Sequence, residues 1–163
     1  MWAFSPLSGD GAKVHGGRFN PRGTPALYLA LTVSGIFLEM GHGFAHRFDP
    51  LTVCTYDVDV EDVVDLRDDA SRRRNGIALA DLGCAWLDDA KHGREPASWR
   101  VAKELIAQDT AGMLVPSFAN GATSAMNNLV LWKWGAGRPH RVEVHDPSGR
   151  LPKNQLSWPA RRP

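Results

Sequence analysis

The chain has 163 residues, 43% of them hydrophobic and 23% charged, with a formal net charge of +1. That length suits a single domain, residues 1–163, able to bury roughly two-thirds of its unfolded surface, and the composition excludes a low-complexity or disordered chain. The near-neutral balance supplies no global field for nucleic acid or an anionic membrane.

Two cysteines, Cys54 and Cys84, are too few for a disulfide framework and lack metal-ligand spacing, which suits a reducing compartment. The opening "MWAFSPLSGDG" has no basic or apolar signal region, and the most apolar stretch, 26–40, is too short to span a bilayer. A cytoplasmic protein is expected.

Residues 5–25 are rich in Gly, Pro, Ser and Asn and read as a long loop with a short strand near Arg18. "ALYLA" (26–30) reads as a strand, and Thr32 as the N-cap of a helix over 33–46 that Gly41 and Gly43 loosen. "LTVCTYDVDV" (51–60) alternates like a half-buried strand, and 61–75 reads as loop. The arginines at 72–74 and 161–162 are expected to be solvated. "GIALADLGCAWLDDA" (76–90) predicts one helix ending near His92-Gly93, and "EPASWRVAKELIAQD" (95–109) a strong amphipathic helix. Three strands follow: "GMLVPS" (112–117), "NLVLWKW" (128–134) and "HRVEVHD" (140–146). Strands at both ends with helices between predict a compact α+β fold rather than a doubly wound sheet. No GxGxxG or Walker A loop is present.

The residues that could carry chemistry are scattered. In "VHGGRFNPRGTPALYLA" (14–30), Gly16 and Gly17 lack Cβ atoms and would let a ligand approach the backbone. Arg18 offers a planar fork of donors for phosphate or carboxylate, and His15 stands beside the glycines. Tyr28 could stack on a flat ring and still use its hydroxyl. Glu39 lies in an apolar helix, either at or near its buried face, where a carboxylate is costly unless paired or catalytic, or turned outward on a rim. Ser117 ends a strand behind Pro116, without the Gly-x-Ser-x-Gly elbow of a hydrolase nucleophile. His42 and His46 are four apart, but no third metal ligand is fixed by spacing, so no metal is expected.

Taken in order, "HGGRFNPRGTPALYLA", the helix with Glu39, "LGCAWL" (82–87), "MLVPSFA" (113–119) and "HDPSGRL" (145–151) resemble the RES domain family, which is named for an arginine, a glutamate and a serine. These match Arg18, Glu39 and Ser117; Phe19 stands where the family usually has Trp, and Asn128 fits loosely an Asn-rich stretch after the serine strand. The resemblance implies a bacterial toxin of a toxin–antitoxin pair, with a fold similar to the ADP-ribosyltransferase toxins and NAD as substrate. It implies a catalytic set of Arg18, Tyr28, Glu39 and Ser117, and NAD contacts from His15, Gly16, Gly17, Arg18, Asn20, Tyr28, Ser117 and Asn128. Arg18 would grip the pyrophosphate, Tyr28 stack on nicotinamide, Ser117 bond the ribose or amide, and Glu39 stabilise the ribosyl cation. The expected partner is a small DNA-binding antitoxin covering the active-site cleft. The expected outcome is ADP-ribosyl transfer to a cellular protein, with NAD hydrolysis or phosphorolysis as the alternative. A non-catalytic binding module and a ribonuclease toxin are the competing classes, the latter disfavoured by the absence of a basic, aromatic-lined stripe.

Overall fold

The structure, a computed structural model, describes residues 5–44 and 52–151, and within 40–44 the backbone alone. Its described strands are β1 (Leu27–Ala30), β2 (Tyr56–Val60), β3 (Val63–Asp65), β4 (Gly112–Pro116), β5 (Asn127–Leu131) and β6 (His140–Val144). Four form a mixed sheet in the order β1-β5-β4-β3, in which only the β3–β4 pair is parallel. β2 and β6 pair antiparallel as a second, two-stranded sheet.

The two-residue period of a strand sorts the larger sheet into two apolar faces. Val64, Met113, Val115 and Val130 point into one cluster, where they meet Phe19, Leu82 and three residues of a helix, Val101, Ala102 and Leu105. Their neighbours Leu27, Leu129, Leu131, Leu29, Leu114 and Val63 face the opposite way, onto Val142, Tyr56 and Val60 of the small sheet. The large sheet is therefore a middle layer between helices and a two-stranded cover. This is the α+β architecture expected from the strand and helix order.

The described helices are α1 (Asp10–His15), α2 (Val33–Phe44), α3 (Asp69–Arg74), α4 (Leu79–Leu82), α5 (Trp86–Lys91) and α6 (Ala97–Ala107). Thr32 caps α2 as expected, its hydroxyl accepting from the Gly35 amide at 3.1 Å. The helix runs through Gly41 and Gly43; residues 45 and 46 lie outside the described residues, as does 51 of the expected 51–60 strand.

Three expectations need correcting. The 5–25 loop contains α1, one and a half turns that stop where Gly16 adopts φ 73°, a left-handed value that favours glycine. The 61–75 loop holds β3 and α3, the latter capped by Asp68, whose carboxylate accepts from the Ser71 amide at 2.8 Å. Within it Arg72 is not solvated: it is 8% exposed, and its Nη1 donates to the carbonyls of Leu66 (2.9 Å) and Arg67 (2.7 Å). Its positive charge is satisfied by a carbonyl cluster and, at 3.6 Å, by Asp69. Finally, the single helix expected over 76–90 is two short ones, α4 and α5, separated at Gly83–Ala85. The break has a purpose at the site.

Candidate active site

The central strands bring distant residues to one sheet face. Asn128 of β5 lies between Ala30 of β1 and Val115 of β4, and Tyr28 opposite Val130. Strand alternation puts Tyr28, Asn128 and, just past β4, Ser117 on the same side. Ser117 is held by its amide, which donates to the Met126 carbonyl at 2.9 Å. From α2, Glu39 reaches over this end of the sheet. Its Oε1 accepts from the Ser117 hydroxyl at 2.6 Å and from the Asn128 amide at 2.7 Å. Residues 78 and 89 positions apart from Glu39 thus hold one oxygen of its carboxylate. Of the two placements the sequence left open for Glu39, the structure has the outward one: it is exposed. No core burial is needed to hold it, because two donors from the sheet fix it in the open.

Arg18 sits between this carboxylate and the α4–α5 break. Its Nη1 donates to the Cys84 carbonyl at 2.7 Å and to that of Leu82 at 3.4 Å. Interrupting the helix at 83–85 is what turns these carbonyls toward the guanidinium, since within a continuous helix they would be spent on amides four residues on. The guanidinium also lies 5.2 Å from the Phe118 ring centre, a cation–π distance. Burial lowers the Arg18 pKa, and the nearby Cys84, Glu39 and Tyr28 oppose that shift. Arg18 remains a cation at any working pH. Among the described residues no hydrogen bond uses its Nε or Nη2, so part of the fork faces outward.

The backbone around Arg18 is pinned by three donors, two from α6 and one just past β5. Trp99 donates to the Gly17 carbonyl (2.8 Å), Ser98 to that of Arg18 (2.6 Å) and Trp132 to that of Phe19 (3.0 Å). Phe19 is buried in the core against Phe118, with ring centres 6.4 Å apart. Neither Trp99 nor Ser98 stood out in the sequence as part of a site. Their signal was only that a polar serine occupies the core-facing stripe of α6.

The glycine pair has a use within the chain itself. A Cβ on Gly17 would come within 2.6 Å of the Tyr28 hydroxyl and 2.7 Å of Asn20 Oδ1. The space it leaves is therefore filled by the protein's own tyrosine, and Gly16 serves as the stop of α1. Asn20, expected at the ligand, is completely buried. Its amide donates to the carbonyls of Ala12 (2.9 Å), Thr24 (2.8 Å) and Pro21 (3.3 Å), and its Oδ1 accepts from the Tyr28 hydroxyl at 2.7 Å. The same hydroxyl accepts from the Phe19 amide at 2.9 Å. Burial of this hydroxyl end raises the Tyr28 pKa well above the ordinary value, with the Phe19 amide opposing. The rest of Tyr28 is open, leaving the residue 39% exposed. Asn20 thus positions Tyr28 from behind. His15 is exposed at the end of α1, and the hydrogen bonds that join Glu39, Ser117 and Asn128 do not include it.

Among the described residues no group of three or more His, Cys, Asp or Glu side chains could hold a metal ion. The His42 side chain and His46 lie outside the described residues. No described helix is long and apolar enough to cross a membrane. The arrangement joins a solvent-reachable carboxylate steadied by two neutral donors, a cation held by carbonyls, and an open tyrosine ring. A search of curated proteins finds no match to the chain. A family model described as the RES domain matches residues 1–154 of the 163. That family is associated with toxin–antitoxin pairs and with toxins directed at NAD. With the match spanning nearly the whole sequence, and with the arginine, glutamate and serine of the family's name in one neighbourhood, the chain belongs to the RES domain family.

Proposed function

We propose that the chain cleaves the nicotinamide–ribose bond of NAD and passes the ADP-ribosyl group to a cellular protein, as the toxin of a toxin–antitoxin pair. The observation that carries this reading is the Glu39 carboxylate, exposed yet fixed by Ser117 and Asn128. In the reaction the C–N glycosidic bond breaks and its electron pair leaves with neutral nicotinamide. The ribose carbon becomes an oxocarbenium-like centre. A carboxylate already oriented by two donors stabilises that positive charge without reorganising. Ser117 and Asn128 both bind the same oxygen, so Oε2 is the one offered to the ribose. Arg18 holds the pyrophosphate with the donors it does not spend on carbonyls, and the open Tyr28 ring stacks on nicotinamide. The acceptor's nucleophile then bonds to the ribose carbon and loses its proton to Glu39 or solvent.

Exposure of Glu39 favours a macromolecular acceptor, and Leu31, Val33 and Phe37, 47, 64 and 57% exposed, lie on the same helix and its lead-in. The same exposure supports a second reading, in which water or phosphate attacks and NAD is degraded. A DNA-binding antitoxin that shields Glu39 would silence either activity. NAD labelled on the adenylate half separates the outcomes when incubated with the protein, with and without phosphate or cell lysate. Label on a lysate protein is the expected result. Small labelled products alone would replace transfer with hydrolysis or, if phosphate is required, phosphorolysis. Intact NAD under all conditions would overturn the enzymatic reading.

A further inference from the structure

A cavity of about 350 Å³ opens beside Arg18, and Glu39 is not among the residues that line it. It is lined by Arg18, Cys84, Trp86, Leu87, Asp88 and Lys91, from the α4–α5 break and the helix that follows it. Its volume lies at the small end of the range for ligand sites. Two of its groups are cations, Arg18 and Lys91, and neither has a carboxylate partner among the described residues. Its one acid, Asp88, is ion-paired from outside the cavity by Arg94, whose Nη2 donates to Asp88 Oδ2 at 2.9 Å. The lining therefore combines unpaired positive charge with apolar surface, namely a half-buried Trp86 and a Leu87 that is 49% exposed. Positive charge beside an aromatic plane is the chemistry that takes a nucleotide, with phosphate on the cations and base on the ring.

Arg18 belongs to both places. It lines this cavity, and it senses the charge of Glu39. A dinucleotide gripped at its pyrophosphate by Arg18 must send its two halves in different directions. With nicotinamide riboside directed to Glu39, Tyr28 and Ser117, the other half is left facing the α4–α5 break. We infer that this cavity is the adenylate subsite, with Trp86 stacking on adenine and Lys91 on the adenylate-side phosphate or ribose. The inference rests on the NAD reading above and specifies which half of the molecule lies where.

Calorimetric binding of 5′-AMP, with ribose 5-phosphate as a probe lacking the base, tests it on the intact protein. Trp86→Ala should weaken 5′-AMP by roughly tenfold or more, the scale of one base–aromatic stack, and change ribose 5-phosphate little. Trp86→Phe should recover most of the loss, and Lys91→Ala should weaken both probes. With NAD as substrate, Trp86→Ala should raise KM while leaving kcat near its original value. Unchanged 5′-AMP affinity in Trp86→Ala, or equal losses of both probes, would overturn the subsite. If the protein consumes NAD but binds no 5′-AMP, the subsite fails and the proposed reaction stands. If 5′-AMP binds through Trp86 but NAD is never cleaved, the reaction fails and the nucleotide subsite stands.

Discussion

Glu39→Gln and Asn20→Ala should separate activity from stability within a few residues of the same cleft. Glu39 is exposed, so the isosteric amide should leave the thermal midpoint within about 2 °C, as surface substitutions usually do. NAD cleavage should fall by about 100-fold or more, the scale of losing one preorganised charge at a transition state. Asn20 is the reverse case. Truncating it strands three carbonyls and the Tyr28 hydroxyl inside the protein, which costs about 2–3 kcal/mol, or about 5–10 °C in melting. A midpoint for Asn20→Ala equal to that of the parent would show that the buried amide is dispensable. These two residues also mark what the sequence could and could not disclose. The arginine, glutamate and serine were legible through the family pattern. That Asn20 and Gly17 hold Tyr28 was hidden, because glycine and asparagine beside a turn look the same whether the space they leave is filled by substrate or by protein.

Tyr28 carries a pH signature as well. Its folded pKa is raised by burial, and that of Tyr56, the only other tyrosine, is pushed up to about 12. Both raised values mean that folding holds the phenols neutral. The stability they secure is complete below pH of about 10, where the unfolded chain also keeps them protonated. It drains away as pH climbs from there through the folded values. Tyr28→Phe removes one of the two phenols. Its unfolding free energy from urea titration should be lower at pH 8, by about 1–3 kcal/mol for the stranded Phe19 amide and Asn20 oxygen, yet fall less than the parent's between pH 9 and 11. Parallel losses in parent and variant over that range would remove Tyr28 from the account.

At the scale of elements, α2 matters because it carries Glu39 to a sheet that contributes the other site residues. Its start is fixed by the Thr32 hydroxyl on the Gly35 amide. Thr32→Ala should cost about 1 kcal/mol, and Thr32→Ser almost nothing. Denaturant titration checks the stability, and an accompanying drop in NAD cleavage for the alanine variant alone would show that the cap also sets the reach of Glu39. This cap was readable in advance, since a threonine ahead of an apolar run has one common local use. The split of 76–90 into α4 and α5 was not. Leu79, Leu82, Trp86 and Leu87 keep helical spacing across Gly83, and local periodicity carries no information about Arg18, whose side chain claims the Leu82 and Cys84 carbonyls from 66 and fewer positions away. Arg72 escaped notice for the same reason. In the sequence it is one of three adjacent arginines, and only the fold selects it to meet the carbonyls at the end of β3.

For the whole molecule, the middle sheet presents Tyr28, Asn128 and Ser117 along one face while α6 and the core tryptophan hold the Arg18 loop in place, so the two halves of the candidate site are built by different parts of the fold. A dinucleotide spanning both should tie them together and stabilise the folded state. A ligand present at 100 times its Kd adds about 2.7 kcal/mol, which for a chain of this size raises the melting midpoint by about 5–10 °C. NAD should produce that shift in the Glu39→Gln protein, where slow cleavage keeps the ligand whole. ADP-ribose should do so in the parent. Arg18→Lys keeps the charge but loses the planar fork that serves carbonyls and phosphate together, so its own midpoint should drop and its ligand-induced shift should shrink to about 2 °C or less. The size of the shift, rather than the starting midpoint, is the measure of pyrophosphate binding. A full shift in Arg18→Lys would move the pyrophosphate away from Arg18, and with it the division of the ligand between the carboxylate and the α4–α5 break.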